Sequence, residues 1–137
     1  MIYPIVIHKD PESDYGVTVP DLPGCFSAGD TMAKALSNAV EAIECHLEGI
    51  LLDEENLPLG KTIEKYVNQP DYQGGTWALV DVDLSKLGGK TQRINISMPE
   101  RILGKVDAFA KNSNKTRSKL LADAALEYIA VHGKANQ

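Results

Sequence analysis

Apolar and polar residues alternate along residues 90–99, and this pattern predicts a β-strand. Because successive side chains of a strand point to opposite sides, one face would be apolar and consist of Ile94, Ile96 and Met98. The opposite face would be polar and consist of Thr91, Arg93, Asn95 and Ser97. Two amphipathic helices follow. One strand and two helices of this length bury too little apolar surface to fold alone, so the segment is predicted to pair with a second copy.

The two helices after this strand are predicted from apolar residues at helical spacing. Pro99 suits the first turn of the first helix, and Thr116 is a good N-cap for the second. The second helix is predicted to bury a face made of Leu120, Leu121, Ala124, Tyr128 and Ile129. In a dimer, the paired strands and both helices would share one apolar core. Its predicted residues are Ile94, Ile96, Met98, Leu120 and Leu121.

Two such strands, paired antiparallel across the dimer, form a ribbon that fits the DNA major groove. Arg93 can donate two hydrogen bonds to guanine, and Asn95 can pair bidentately with adenine. Less specific base contacts are predicted for Thr91 and Ser97. Free backbone N–H groups at the start of the second helix suit a DNA phosphate, at Thr116, Arg117 and Ser118. The alternative is a dimerisation strand whose polar face only meets solvent.

The preceding part of the chain has the pattern of a small α+β domain. Residues 2–8 and 15–19 predict a strand hairpin, in which Pro4 favours an edge position. Thr31 is a suitable N-cap for a long helix, with a predicted sheet-facing side of Leu36, Val40, Ile43, Leu47 and Ile50. Residues 76–83 predict a further strand. We therefore expect an antiparallel sheet packed on one long helix in residues 1–84 (the body), a linker at 85–90 and the DNA-binding dimerisation domain at 91–137 (the tail).

Charge divides the chain at the same point. The net charge is -5, but residues 1–89 have five Lys/Arg and fifteen Asp/Glu, a net of -10. Residues 90–137 have nine Lys/Arg and four Asp/Glu, a net of +5. A basic tail suits DNA, whereas an acidic body repels DNA and attracts a basic protein partner. Solubility alone is an equally good explanation for the acidic body.

Other classes of protein find little support in the sequence. No segment is long and apolar enough to span a membrane, and the N-terminus lacks the pattern of a signal peptide. Cys25 and Cys45 have no CxxC spacing, and the three histidines are scattered. We therefore predict a cytoplasmic protein with free thiols, no cofactor, no metal site and no catalytic residues.

Several short motifs in the body resemble those of a known family. Residues 15–17 (Tyr-Gly-Val), residues 20–25 (Pro-Asp-Leu-Pro-Gly-Cys) and residues 29–31 (Gly-Asp-Thr) occur in this order before the long helix. With the strand at 76–83, they resemble the N-terminal domain of HicB-type antitoxins. Residues 93–129 resemble a ribbon-helix-helix domain, one of two kinds of DNA-binding tail in that family. Together these matches cover nearly the whole chain.

The resemblance implies a fold and a pair of partners. The body would have a partial RNase H-like fold without nuclease activity and would bind a small, basic, RNA-cleaving HicA-type toxin, blocking the toxin's catalytic histidine. The tail would form a homodimer, bind operator DNA and repress the toxin–antitoxin operon. Two dimers on adjacent half-sites would form a homotetramer. The resemblance does not assign the residues of the toxin interface, which stay unknown, and it leaves the role of residues 57–75 open.

Two rival functions remain at the level of sequence. The first is a stand-alone ribbon-helix-helix repressor whose body senses a small molecule, which requires an apolar ligand pocket. The second is a nuclease that uses Asp81 and Asp83, which requires further metal ligands that converge on these carboxylates. A neighbouring reading frame for a small basic protein would favour the antitoxin over both.

Overall fold

The structure is a computed structural model that describes residues 1–133. Within these residues it contains four β-strands, namely β1 (Ile2–Lys9), β2 (Tyr15–Thr18), β3 (Phe26–Gly29) and β4 (Thr76–Asp81). It also contains three α-helices, namely α1 (Met32–Leu52), α2 (Glu100–Asn112) and α3 (Arg117–His132). Short 3-10 turns lie at Ile63–Lys65, Pro70–Tyr72 and Leu84–Lys86. The α+β class predicted from the sequence is confirmed.

The four strands form one antiparallel sheet in the order β3-β2-β1-β4. β1 is therefore an interior strand, and the prediction that Pro4 places it at an edge is wrong. The reason is that β2 pairs with β1 only from Val6 to Lys9, whereas β4 already pairs with β1 at Pro4. Pro4 has a neighbouring strand on one side only, so its missing N–H is tolerated as it is at a sheet edge.

Helix α1 packs across the inner face of this sheet. The predicted N-cap is confirmed, because the Thr31 hydroxyl accepts a hydrogen bond from the backbone N–H of Lys34 at 3.1 Å. The buried stripe of the helix consists of Ala35, Ala39, Ile43 and Leu47. Of the predicted face, Ile43 and Leu47 are buried, whereas Leu36, Val40 and Ile50 are half-buried. The two alanines bring the helix close to the end of β3. There a Cβ on Gly29 would lie 2.4 Å from the backbone nitrogen of Ala35.

The hydrophobic core lies between α1 and the inner face of the sheet. Its fully buried strand residues include Tyr3, Ile5 and Ile7 of β1, and Val17 of β2 packs beside them. Alternation along β1 places Tyr3, Ile5 and Ile7 on this face and leaves Pro4 and Val6 on the outer face. Residues 26–29 carry no strand prediction, because Phe-Ser-Ala-Gly is short and has one large apolar residue. Pairing with β2 forms β3 nonetheless.

The connection at residues 57–75 covers part of the outer face of the sheet. Val6 is fully buried there, and a Cβ on Gly75 would lie 2.3 Å from a Val6 methyl group, so the chain passes directly above this side chain. The ring of Tyr72 meets Trp77 edge-on at 5.7 Å and Tyr66 at 6.1 Å. Such edge-to-face pairs are favourable beyond the area they bury. The connection whose role the sequence left open therefore forms a layer on the side of the sheet opposite α1.

A buried carboxylate fixes this connection to the loop at residues 20–25. Asp21 is 9% exposed, and its two oxygens accept hydrogen bonds from the Tyr66 hydroxyl at 2.5 Å and the Lys61 backbone N–H at 3.0 Å. Burial raises the pKa of the Tyr66 phenol, and the hydrogen bond to Asp21 raises it further. The phenol therefore stays protonated and acts as the donor.

We expect Asp21→Ala to lower the free energy of unfolding by about 1–3 kcal/mol, because it leaves the buried Tyr66 hydroxyl and the partly buried Lys61 N–H without an acceptor. Tyr66→Phe removes one donor and keeps the ring, so its expected cost is smaller, about 1 kcal/mol. Urea unfolding followed by the fluorescence of Trp77 measures both. Asp14→Ala at an exposed position is the control. Equal midpoints for Asp21→Ala and Asp14→Ala would show that Asp21 does not hold the connection in place.

Helix α3 packs against the body through one polar and small-residue stripe. The stripe has helical spacing and consists of Lys119, Asp123, Leu126, Ala130 and Gly133. Leu126 packs against the core cluster of the body, and a Cβ on Gly133 would lie 2.4 Å from the side-chain nitrogen of Asn56. Leu87, inside the predicted linker, packs against the same core. Helix α3 of the tail therefore packs on the body, and the predicted linker is not a free connection between them.

Because α3 packs on the body, the face of α3 that is buried in the single chain differs from the face predicted from apolar spacing. Asp123 and Ala130 are buried, and Leu120 and Leu121 of the predicted face are half-buried. The other predicted residues, Ala124, Tyr128 and Ile129, are exposed. The predicted face would be buried by a second copy, so it stays a prediction; in the single chain, packing against the body buries the neighbouring stripe. The apolar side stays open to solvent.

Candidate functional site

The polar residues predicted to read DNA lie on an exposed segment that precedes α2. Thr91, Arg93, Asn95 and Ser97 are all exposed. Residues 90–98 form no regular secondary structure in the single chain, and no backbone hydrogen bond joins them to another described segment. A β-strand requires a hydrogen-bonded neighbouring strand. The predicted ribbon could therefore form only with a second copy of the chain, and it stays a prediction. The segment is accessible to both a second chain and DNA.

Large apolar side chains are exposed on the same part of the molecule. Ile94 and Ile96 are 71% and 60% exposed, and Met98 is half-buried. On the helices, Phe109 is 59% exposed and Tyr128 is 66% exposed. Large apolar side chains that stay exposed are typical of an interaction site where they lie together. The distribution agrees with an unpartnered dimerisation surface and is unfavourable for a tail that works as a monomer.

The start of α3 has the predicted cap and one unpredicted ion pair. The Thr116 hydroxyl accepts from the backbone N–H of Lys119 at 3.1 Å, which confirms the cap. The guanidinium of Arg117 donates two hydrogen bonds to Asp107 of α2, both at 2.8 Å. This bidentate contact lowers the pKa of the Asp107 carboxyl. Ser118 is exposed. Arg117 therefore joins α2 to α3, and a phosphate contact would have to share or replace Asp107.

Two further lysines pair with carboxylates where α3 meets the body, and sequence reasoning missed both pairs. Lys115 Nζ lies 3.1 Å from Asp123 Oδ2, and the second oxygen of Asp123 is buried without a hydrogen-bond partner. The hydrogen bond to Asp123 raises the pKa of Lys115. Lys119 Nζ lies 3.5 Å from Asp83 Oδ2. A spacing of eight residues between Lys115 and Asp123 is a weak signal, and the contact between Lys119 and Asp83 depends on tertiary packing alone.

The two carboxylates considered for nuclease chemistry have separate structural contacts. Asp81 accepts a hydrogen bond from the Met1 ammonium group at 3.3 Å. Asp83 accepts from the Ser85 hydroxyl at 2.6 Å and its backbone N–H at 3.0 Å, and the hydroxyl is the main cause of its lowered pKa. In residues 1–133 no group of three or more His, Cys, Asp or Glu side chains is arranged to hold a metal ion. None of the described helices is long and apolar enough to cross a membrane.

Comparison with known proteins identifies the family of this chain. The family described as HicB-like antitoxin of bacterial toxin-antitoxin system matches residues 3–125. The chain belongs to this family. The match extends over the whole body, α2 and the first half of α3, so the exposed segment at residues 90–98 lies inside it. The resemblance found in the sequence motifs is thereby confirmed at the level of the HicB-like family.

Individual relatives agree with the HicB-like assignment. The crystal structure of the Burkholderia pseudomallei antitoxin HicB superposes with a TM-score of 0.83 at 47% identity, covering 94% of this chain and 98% of that one. A 14.9 kDa protein of Haemophilus phage HP1, without an assigned function, is 48% identical over 91% of this chain and 95% of its own length. A HicA3 and HicB3 toxin-antitoxin complex contains a chain that is 37% identical, with a TM-score of 0.52. The match covers 61% of this chain and 99% of the matched chain in the complex.

Proposed function

We propose that this protein is an antitoxin that binds and occludes a HicA-type RNA-cleaving toxin with its body and represses its own operon through a ribbon-helix-helix tail. The observation that carries the proposal is the family match across residues 3–125, which includes both the acidic body and most of the basic tail. The mechanism is occlusion of the toxin by binding, and it requires no catalytic residue in this chain.

Two observations support toxin binding by the body: the net charge of the body and the length of the chain that it matches in a toxin-antitoxin complex. The net charge of -10 over residues 1–89 favours a cationic partner, because complementary fields speed encounter and suppress wrong partners. The antitoxin-like chain of the HicA3–HicB3 complex matches 61% of this chain, about the length of the body. A partner that is basic enough to bind RNA would therefore meet an acidic surface of suitable size.

Unpaired backbone groups and exposed isoleucines in the single chain support dimerisation and DNA binding by the tail. Residues 90–98 have no strand partner, and the isoleucines on one side of this segment are exposed beside polar residues on the other. Antiparallel pairing with a second copy would satisfy the backbone groups and bury the isoleucines at once. It would also place Arg93 and Asn95 of both copies on one surface that matches a major groove. Two such dimers on adjacent half-sites would form a tetramer.

Purification of the tagged chain from its native host at moderate salt tests the toxin assignment. We expect a small basic protein to co-purify, to cut RNA once separated and to stop cutting when this chain is restored. Toxin titrated into a mixture of this chain and its operator is further expected to change repression, because toxin binding alters the assembly on DNA. Recovery of the chain with DNA and without a protein partner would instead favour the stand-alone repressor with a ligand-sensing body.

We expect Arg93→Ala to weaken specific operator binding by about 1–3 kcal/mol and to relax the preference for the base that Arg93 contacts. A gel-shift or fluorescence-anisotropy titration at fixed salt measures the change. Lys105→Ala is the control, since it removes an exposed cation of α2 outside the predicted reading face. Discrimination between operator and scrambled DNA that is equal in the wild type and Arg93→Ala would refute the proposed role of Arg93.

A further inference from the structure

An open groove of about 350 Å³ lies beside β3 on the outer side of the body. One wall is the loop at residues 20–25, and the other is the 3-10 turn at residues 70–72 of the connection. Polar and apolar surface line it in nearly equal parts, and Pro20, Pro23, Phe26 and Tyr72 supply much of the apolar part. The proposed function does not yet assign a role to this groove.

Both walls of the groove are held in place by hydrogen bonds. The loop is closed by three backbone bonds between Val19, Leu22 and Cys25, with lengths of 3.0 to 3.3 Å. The buried Asp21 then ties this loop to the connection through Tyr66 and Lys61. A site whose walls are already ordered loses little conformational entropy when a partner binds. The groove is therefore preorganised.

An exposed aromatic residue stands at the edge of the groove. Phe26 is 66% exposed although it lies in a strand, where it pairs with Thr18. Most of its ring surface is therefore in contact with solvent in the isolated body. Exposed aromatic side chains that flank a pocket are typical anchors of protein interfaces. Phe26 and the half-buried Tyr72 together offer a clamp for the stem of a long side chain.

The charge of the groove determines which kind of side chain from a partner fits it. Among the described residues that line it, Asp71 is the one charged residue, and it is exposed. A second groove on the body, lined by Ile2 and Leu79, contains both Lys61 and Glu64 and has no such preference. A cation beside an aromatic face and a carboxylate is favourable on both counts. The first groove therefore fits an arginine or lysine side chain.

We propose that this groove is the contact through which the body captures its cationic protein partner. An arginine or lysine side chain of that partner would lay its aliphatic stem against Phe26, Pro23 and Tyr72 and direct its charged head to Asp71. This inference rests on the proposed function, because it assigns to the antitoxin a specific contact for the HicA-type toxin. Glu41 and Glu48, which are exposed on α1, then steer the encounter and do not form the centre of the contact.

Binding of the co-purified basic protein, made inactive towards RNA, to the full-length chain tests the proposal. We expect Asp71→Lys and Phe26→Ser each to raise the Kd by about tenfold or more, as removal of an interface anchor does. Glu48→Lys on the exposed face of α1 is the matched charge reversal outside the groove, and its expected change is below about threefold. Thermal unfolding of each variant controls for folding. If Phe26→Ser is destabilised, Asp71→Lys at its exposed position decides.

The outcomes separate the groove from the proposed function. Unchanged affinity of Asp71→Lys, together with weakened binding of Glu48→Lys, would overturn the groove and leave the antitoxin assignment intact. Failure of the wild-type chain to bind any small basic protein would overturn both. A shift of Phe26→Ser from a larger to a smaller oligomer, without any change in toxin affinity, would show that a second copy of this chain occupies the groove.

Discussion

Ile96→Asp is expected to convert the full-length chain into a monomer and to lower operator affinity by about 100-fold or more, since each buried unpaired charge costs several kcal/mol. In the proposed ribbon, Ile96 faces the shared core of the tail, and symmetry places two aspartates there at once. The single chain leaves Ile96 60% exposed, so the substitution is tolerated in the monomer. Analytical ultracentrifugation measures the mass, and anisotropy measures DNA binding.

The neighbouring residue supplies a matched control for this prediction. Asn95→Asp introduces the same charge one position earlier, on the polar face of the predicted strand. We expect it to leave the dimer intact and to weaken DNA binding alone, because the new carboxylate repels phosphates. A dimer that persists in Ile96→Asp, or one that dissociates equally in both variants, would refute the assignment of the two faces and with it the ribbon.

Lys115→Met is expected to lower the free energy of unfolding by about 3 kcal/mol, because it leaves the carboxylate of Asp123 buried without its cation. The side chain of Asp123 is 6% exposed and one of its oxygens already lacks a hydrogen-bond partner, so no other described group can compensate. The loss should appear as an earlier urea transition, and α3 should detach from the body before the core unfolds.

The double variant Lys115→Met with Asp123→Leu tests this explanation. Replacing both members of a buried ion pair by apolar residues of similar size is often neutral or stabilising, so we expect the double variant to recover most of the loss. Lys111→Met on the exposed side of α2 is the control for removing a lysine. If the double variant is as unstable as Lys115→Met, the loss comes from the lysine's packing and not from its charge.

Elements with a strong local signal were predictable from the sequence. The cap at Thr31 and the apolar residues of α1 are four residues apart or less, so a helix follows from neighbouring positions alone. The position of β1 was not predictable, because it depends on how far β2 extends beside Pro4. The role of residues 57–75 was hidden for the same reason, since the buried bond between Asp21 and Tyr66 joins residues 45 positions apart.

The candidate site also has features that were predictable from local sequence and features that depend on tertiary packing. Alternation at residues 90–99 and the change of charge near residue 90 are local and led to the DNA-binding hypothesis, and the short motifs at residues 15–31 led to the HicB-like resemblance. The docking of α3 was missed because its stripe consists mostly of small and charged residues around Leu126, and a search for apolar periodicity does not detect such a stripe. Asp107 was likewise not foreseen as the partner of Arg117, since their contact depends on how α2 and α3 pack.

Because Leu126 of α3 and Gly133 at its C-cap lie against the body, a dimer built through the tail would carry its two bodies at fixed positions above the DNA. A body of this length has a radius of gyration of about 12 Å and is therefore about 30 Å wide. One turn of DNA is about 34–36 Å long. In the proposed assembly, each body would nearly fill one turn of DNA, so dimers on half-sites closer than about one turn would bring their bodies into collision.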